Sequence, residues 1–576
     1  MVAGNRVQTV WPDPGFRSGA RHRPTRHSTE DPAMTNAIFS LPDCHNEPVC
    51  TYAPGTPERA RLKAELDRQY RLEVDVPLII GGVEVRTAIR RPITCPHEHG
   101  HVLGHYHEAG EEEIRMAIAA ALAAKEAWSA TPWEERAAIF NRMASLLSTR
   151  YRCILNAATM LGQSKTAHQA EIDSTCETAD FFRYNAKFME QIYRNQPLSN
   201  AHTWNRVNYR PLEGFVLAVS PFNFTAIGAN LATAPAVMGN TVVWKPASTS
   251  ILSNYYLMQL YKEAGLPDGV INFVPSRGSQ IGRLALDHPA FAGLHFTGST
   301  GVFNGMWRAV AENLSRYRIY PRLVGETGGK DYTFVHATAD LTEAAVAIVR
   351  GAFEYQGQKC SACSRVYAPA SRWPELRDLL IGLTGRIRMG DPRDFRTFMG
   401  AVIDEASFDQ TMGYIEQAKA SPRAEILCGG RGDKSVGWFI EPTIIVTADP
   451  RFVTMEEEIF APVLTVHVYE DSRLEETLRL LDGTSPYALT GSIFARDRRV
   501  INHLTEALAN TAGNFYINDK CTGAMVGHQP FGGARASGTN DKAGSFLNLV
   551  RWTSPETIKE CFAPPRELGY PSMAEA

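Results

Sequence analysis

Apolar residues recur at helical spacing over 56–70 and, more strongly, over the Ala-rich run Glu111 to Trp128, which predicts two helices. Thr131-Pro132-Trp133-Glu134-Glu135 opens another, with proline near the first helical position. A single long helix is predicted over 166–192, ending before Asn195-Gln196-Pro197. From 214 the period changes. Short apolar runs at Phe215–Val219, Thr241–Lys245, Ile271–Val274 and Gly293–Phe296 alternate with helical segments near 227–238, 251–264 and 279–287. That alternation implies a parallel sheet covered on both faces. Such sheets place ligands at the carboxyl ends of their strands, where Asn223, Lys245 and Ser299 fall. A second α/β region starts near 331, with strand Tyr332–Val335 and helix 341–355, and runs to about 530. The segment 546–559 is expected to begin as a strand, apolar enough to bury against something such as a partner subunit.

A chain of 576 residues is long enough for two or three packed units. Hydrophobic residues make up 44% and charged residues 21%, which suits a large core. A net charge of -3 implies no basic face for nucleic acid. Cysteines are scattered rather than framed, as in a reducing, cytoplasmic setting, or the mitochondrial matrix for a eukaryotic chain. No apolar stretch reaches the roughly 18 residues a membrane span needs. Residues 1–33 carry Arg6, Arg17, Arg21, Arg23 and Arg26 and no apolar run, so a disordered tail is expected rather than a secretory signal. Pro12, Pro14 and Pro24 argue against an amphipathic transit helix, and Met34 begins the more regular sequence.

The chemistry concentrates in a few turns. Gly357-Gln358-Lys359-Cys360-Ser361 follows a helix and presents a thiol among small polar residues. Hydride does not leave a planar aldehyde carbon readily, whereas thiolate attack gives a tetrahedral alkoxide that expels it. Cysteine suits this step because it is partly ionised near neutral pH and strongly nucleophilic. A lone cysteine is also a common buried filler, and Cys363 adds a C-x-x-C pattern that fits a redox pair or half a zinc site. No second C-x-x-C supplies the other half. Glu326, in Gly325-Glu326-Thr327-Gly328-Gly329-Lys330, can activate water to hydrolyse the thioester, or be a solvated loop carboxylate. Asn223 can donate to an oxyanion, or form an Asx turn. Phe296-Thr297-Gly298-Ser299-Thr300-Gly301 ends a strand and opens a helix whose N–H groups can take a pyrophosphate. Lys245 can reach ribose hydroxyls, or be the solvated charge that a strand-end lysine usually is. Glu457-Glu458-Ile459-Phe460-Ala461-Pro462 offers a carboxylate for a second ribose and a ring for a nicotinamide.

Taken in order, Pro-Phe-Asn-Phe, Trp-Lys-Pro, Phe-Thr-Gly-Ser-Thr, Glu-Thr-Gly-Gly-Lys, Gly-Gln-Lys-Cys and Glu-Glu-Ile-Phe-Ala-Pro resemble the aldehyde dehydrogenase superfamily over roughly residues 40–560. The resemblance implies an α/β fold with two doubly wound α/β domains, one Rossmann-like and NAD-binding, the other catalytic, plus a β oligomerisation arm. It places the NAD-binding domain at 34–193 and 214–325 and the catalytic domain at 326–533. The arm falls at 194–213 and 534–560, with a tail at 561–576. It makes Cys360 the nucleophile, Glu326 the general base and Asn223 the oxyanion donor. Ser220, Lys245, Ser248, Gly278, Gly282, Ser299, Glu458 and Phe460 would hold NAD. Ser248 stands where strongly NAD-selective relatives often carry glutamate, so NADP is expected to be tolerated.

The segments 160–165, 169–173, 355–365 and 529–541 are similar to the branch acting on L-glutamate 5-semialdehyde. This implies NAD-dependent oxidation of that aldehyde, formed from 1-pyrroline-5-carboxylate, to L-glutamate, the second step of proline degradation. Gly523, Ala524 and Ser361 would anchor the amino-acid end, Phe224 and Phe531 would pack on the stem, and Glu177 would lie near the pocket. A homo-oligomer, at least a dimer, is expected, with a small-molecule substrate and neither a nucleic-acid nor a membrane partner. Another ω-semialdehyde is the alternative substrate, and a non-catalytic relative is opposed by the presence of Cys360, Glu326 and Asn223. His97-Glu98-His99-Gly100-His101 matches the zinc-peptidase pattern H-E-x-x-H. That pattern needs a helix, whereas Pro96, Gly100 and Gly104 point to a strand or hairpin, so no catalytic metal is expected.

Overall fold

A computed structural model describes residues 37–573. The tail expected over 1–33 lies outside the described residues. Residues up to Ser40 form a unit of their own, whose described part, 37–40, has no helix or strand. Everything below concerns the compact unit from Leu41 onward.

Five parallel strands build the first sheet in the spatial order Arg322–Glu326, Phe291–Thr297, Phe215–Val219, Thr241–Lys245 and Ile271–Phe273. Leu78–Ile80 and Val83–Val85 extend it as an antiparallel hairpin. Alternate side chains enter separate cores. Val216, Ala218, Val242 and Trp244 pack with Phe140 and Leu257 on one face, while Phe215, Leu217 and Val243 pack with Ile118 and Ile281 on the other. Burial on both faces is why these strands read as unbroken apolar runs. A second sheet orders Ala424–Cys428, Thr443–Thr447, Val463–Tyr469, Cys363–Pro369, Asp331–Val335, Thr490–Phe494 and Asn514–Ile517. Only its first strand is antiparallel.

Two expectations change. Residues Ala167 to Arg194 are helical throughout, but Glu171–Glu177 winds as a π-helix, carrying buried Glu171 and Asp173 inward. The C-terminal segment begins as a helix rather than a strand. Ser545 accepts from the Leu547 N–H and caps Phe546–Val550, and only Thr553–Cys561 is extended, paired antiparallel with Thr203–Pro211. The H-E-x-x-H segment lies in a hairpin, with His97 in the turn and Glu98–His107 a strand. His99 stacks on Trp438 and His101 on Tyr70, so these two rings are engaged by aromatic neighbours.

A buried ion pair ties these elements to the site. Lys165 Nζ lies 2.6 Å from Asp173 Oδ2, with neither side chain exposed. The ammonium sits 4.0 Å from the centre of the Phe224 ring and 4.4 Å from that of Tyr355. The Asp173 oxygens accept from the Thr225 and Ala226 N–H groups, capping the helix Thr225–Val237, for which Phe224 offers no side-chain cap. Removing one partner strands the other charge, so Lys165→Met should cost about 3–5 kcal/mol in equilibrium unfolding. A midpoint unchanged in urea denaturation would contradict this account of the pair.

Candidate active site

The first sheet delivers its chemistry at the carboxyl ends of its strands. Val219 leads to Ser220 and Asn223, Lys245 ends its strand, Thr297 leads to Ser299, and Glu326 ends the edge strand. Opposite them, Cys360 is carried by an unusual turn. Tyr355, Gln356 and Gly357 have φ of 51°, 55° and 66° in succession. Left-handed non-glycine residues are costly and need support. Gln356 supplies it, donating from Nε2 to Ser164 O (3.1 Å) and Ala401 O (2.7 Å) and accepting from Gly400 N (3.0 Å). A Cβ at Gly357 would stand 2.4 Å from Ala461 O, so only glycine fits there.

The turn places Cys360 Sγ 3.8 Å from Glu326 Oε1. Asn223 Nδ2 donates to Gln358 O at 3.1 Å, which fixes the amide beside the nucleophile and leaves its second hydrogen for an oxyanion. The expectation of a partly ionised thiol needs correction. Burial, then the charge of Glu326, pushes the Cys360 thiol well above its ordinary value. Burial also pushes Glu326 up to about 8. The resting nucleophile is a buried thiol beside a buried carboxyl group.

Two cavities meet at this sulfur. The larger, about 880 Å³, is lined by Ser220, Asn223, Lys245, Gly278, Gly282 and Ser299, and by Cys360, Glu458 and Phe460 at its inner end. The smaller, about 340 Å³, is lined by Glu177, Phe224, Glu326 and Cys360 together with Ser361, Gly523, Ala524 and Phe531. Ser248 lines neither; it is exposed and opens the short 3-10 turn Ser248–Ser250 beyond Lys245. Cys363 also lines neither cavity, being buried in the second sheet's core with its thiol 3.2 Å from Thr333 Oγ1.

The larger cavity suits a dinucleotide. Ser299 Oγ caps Thr300–Glu312 through Val302 N, and Gly278–Leu286 begins with no side-chain cap, so N–H groups of both helices are available to phosphate oxygens. Lys245 is half-buried with no carboxylate partner among the described residues, and desolvation lowers its pKa, so an anionic or hydroxyl-rich ligand would give it one. Glu458 Oε1 accepts from Gly329 N at 2.9 Å, and a Cβ at Gly328 would stand 2.3 Å from Glu458 Oε2. Phe460 is held at φ 60° with its ring edge-on to Phe222, 5.8 Å between centres.

The smaller cavity contains residues that sequence reasoning missed. Lys359 and Lys520 both bond Glu354 Oε2, at 3.3 and 3.2 Å, leaving one positive charge in excess on that wall. Those two cations hold the Glu354 carboxyl down at about 2 against its burial. Glu177, which also lines this cavity, is pushed up to about 8 by burial and by the Asp173 charge. Position offered the available signal: Lys359 adjoins Cys360, and Lys520 lies three residues before Gly523.

Residues 85–557 match the aldehyde dehydrogenase family, and the chain belongs to it. It is 52% identical over 543 residues to the mitochondrial delta-1-pyrroline-5-carboxylate dehydrogenase of Dictyostelium discoideum, covering 94% of this chain and 97% of that one. Against the mitochondrial delta-1-pyrroline-5-carboxylate dehydrogenase of Homo sapiens it is 48% identical over 530 residues, covering 92% and 94%. The NAD-bound crystal structure of the Mycobacterium tuberculosis delta-pyrroline-5-carboxylate dehydrogenase superposes with a TM-score of 0.91 at 48% identity, over 94% of this chain and all of that one.

Proposed function

We propose that this chain oxidises L-glutamate 5-semialdehyde, the open form of 1-pyrroline-5-carboxylate, to L-glutamate with NAD, the second step of proline degradation. One observation carries the mechanism: Cys360 stands where the two cavities join, 3.8 Å from Glu326. Glu326 takes the thiol proton as the sulfur adds to the aldehyde carbon. The alkoxide of the resulting thiohemiacetal is stabilised by the remaining N–H of Asn223, a contact typically worth ~100- to 1,000-fold in rate. Bound in the larger cavity, NAD supplies the hydride acceptor. Collapse of the alkoxide leaves a thioester on Cys360. Glu326, once it has passed that first proton to solvent, takes a proton from the attacking water and returns it to the departing thiolate, releasing the carboxylate and the thiol.

The substrate's amino-acid head would lie at Ser361, Gly523 and Ala524, its stem between Phe224 and Phe531, with Glu177 near the pocket. Ser220, Lys245, Gly278, Gly282, Ser299, Glu458 and Phe460 would hold NAD. At Ser248 no carboxylate repels a 2′-phosphate, so NADP is tolerated. By this reading the first sheet belongs to the NAD-binding domain and the second to the catalytic domain, and the Thr203–Pro211 and Thr553–Cys561 ribbon is the arm of a homo-oligomer. No described helix is long and apolar enough to cross a membrane. The working compartment is the cytoplasm, or the mitochondrial matrix in a eukaryotic cell, as in the relatives named mitochondrial.

The test is NADH formation across an aldehyde panel. Glutamate semialdehyde should exceed propanal in kcat/KM by about 100-fold or more, since the head-group sites are left unpaired by the shorter aldehyde. Equal values for the two would overturn the substrate assignment.

A further inference from the structure

The loop 523–529 facing Cys360 contains no strand or helix. It turns at Gly523 (φ 97°) and Gly527 (φ 81°), where a Cβ would meet the Tyr184 ring at 2.3 Å. Its Val526 side chain packs on Phe181 and Ala226. Its backbone is tied from a distant part of the chain. Asn46, in an extended segment far ahead of both sheets, donates from Nδ2 to Val526 O (3.0 Å) and to Asp180 Oδ2 (2.7 Å). Its Oδ1 accepts from Tyr184 Oη (3.0 Å) and from His528 Nε2 (2.9 Å). One amide thus uses every donor and acceptor site it has to join the loop to the helix Thr178–Arg194. The next residue locks the segment in place. Glu47 N donates to Asp180 Oδ1 (2.7 Å), and its carboxylate pairs with Arg152 and Arg183, both at 2.8 Å.

We propose that Asn46 is a positioning residue for the substrate's amino-acid head, fixing the loop so that the backbone at Gly523 and Ala524 faces Cys360 at the span of a five-carbon semialdehyde. The N-terminal segment then sets aldehyde selectivity without touching the reacting atoms. This rests on the substrate reading above. A purely structural tie would lower turnover of every aldehyde alike; a positioning tie acts only on aldehydes that carry the head group.

The experiment compares glutamate semialdehyde with propanal in the full-length wild type and in Asn46→Ala. The ratio of their kcat/KM values should fall about tenfold or more in the variant, through KM for the semialdehyde, with KM for NAD unchanged. A ratio equal to that of the wild type, or equal losses for both aldehydes, would overturn the proposal. Should Asn46→Ala fail to fold, Tyr184→Phe keeps the ring beneath Gly527 and removes one of the four bonds. It should lower the same ratio by a smaller factor, and an unchanged ratio there would be equally fatal. A wild type with no preference between the aldehydes defeats the substrate reading instead.

Discussion

Cys360→Ala should lower NADH formation by more than roughly 10,000-fold, because Cys360 is the only thiol among the described residues that lines both cavities. NAD affinity should stay within about twofold, since the proposed phosphate and ribose contacts at Ser299, Lys245 and Glu458 do not depend on the sulfur. Fluorescence titration measures the binding and absorbance of NADH the turnover. Serine should not rescue the activity: a hydroxyl is a far weaker acid than a thiol, and burial beside Glu326 already pushes the thiol up. Turnover retained in either variant would remove Cys360 from the mechanism and with it the covalent route.

How far the sequence alone carries this argument varies by element. The strands Phe215–Val219 and Thr241–Lys245 agree with the structure to the residue, because strands buried on both faces give continuous apolar runs with abrupt ends. The helix over 166–192 was legible as a helix but not as a π-helix at Glu171–Glu177, since one wide turn barely alters the apolar spacing. The C-terminal segment misled because Phe-Leu-Asn-Leu-Val suits either state, and the Ser545 cap decides it. At the site, Cys360, Glu326 and Asn223 were candidates by residue type and turn context, each with a bland alternative, and the fold brings them close together. The ionisation of the thiol was not legible, because it follows from burial that only the assembled fold supplies. Asn46 was equally invisible, as it meets Val526 across 480 residues of sequence.

Glu326→Gln separates two consequences of one buried carboxyl group. The rate should fall roughly 100- to 10,000-fold, as expected on removing a general base, and mass spectrometry after mixing with NAD and the aldehyde should find little acyl-enzyme on Cys360, because the same change removes the acceptor of the thiol proton. Because only the ionised form accepts a proton and burial pushes Glu326 up to about 8, wild-type kcat/KM should climb through that pH, and the variant's profile should lose the step. Stability runs the other way. A carboxyl whose pKa is raised on folding binds its proton more tightly in the folded state. Its stabilising contribution is therefore complete below the ordinary carboxylate range and is lost as pH rises through about 8. Above that pH the neutral glutamine avoids burying a charge, so Glu326→Gln should unfold at a higher temperature than the wild type while turning over far more slowly. A carboxylate kept for structure would show the reverse pairing, a lower unfolding temperature with activity largely intact. That outcome would leave the deacylating base to be found elsewhere in the cavity.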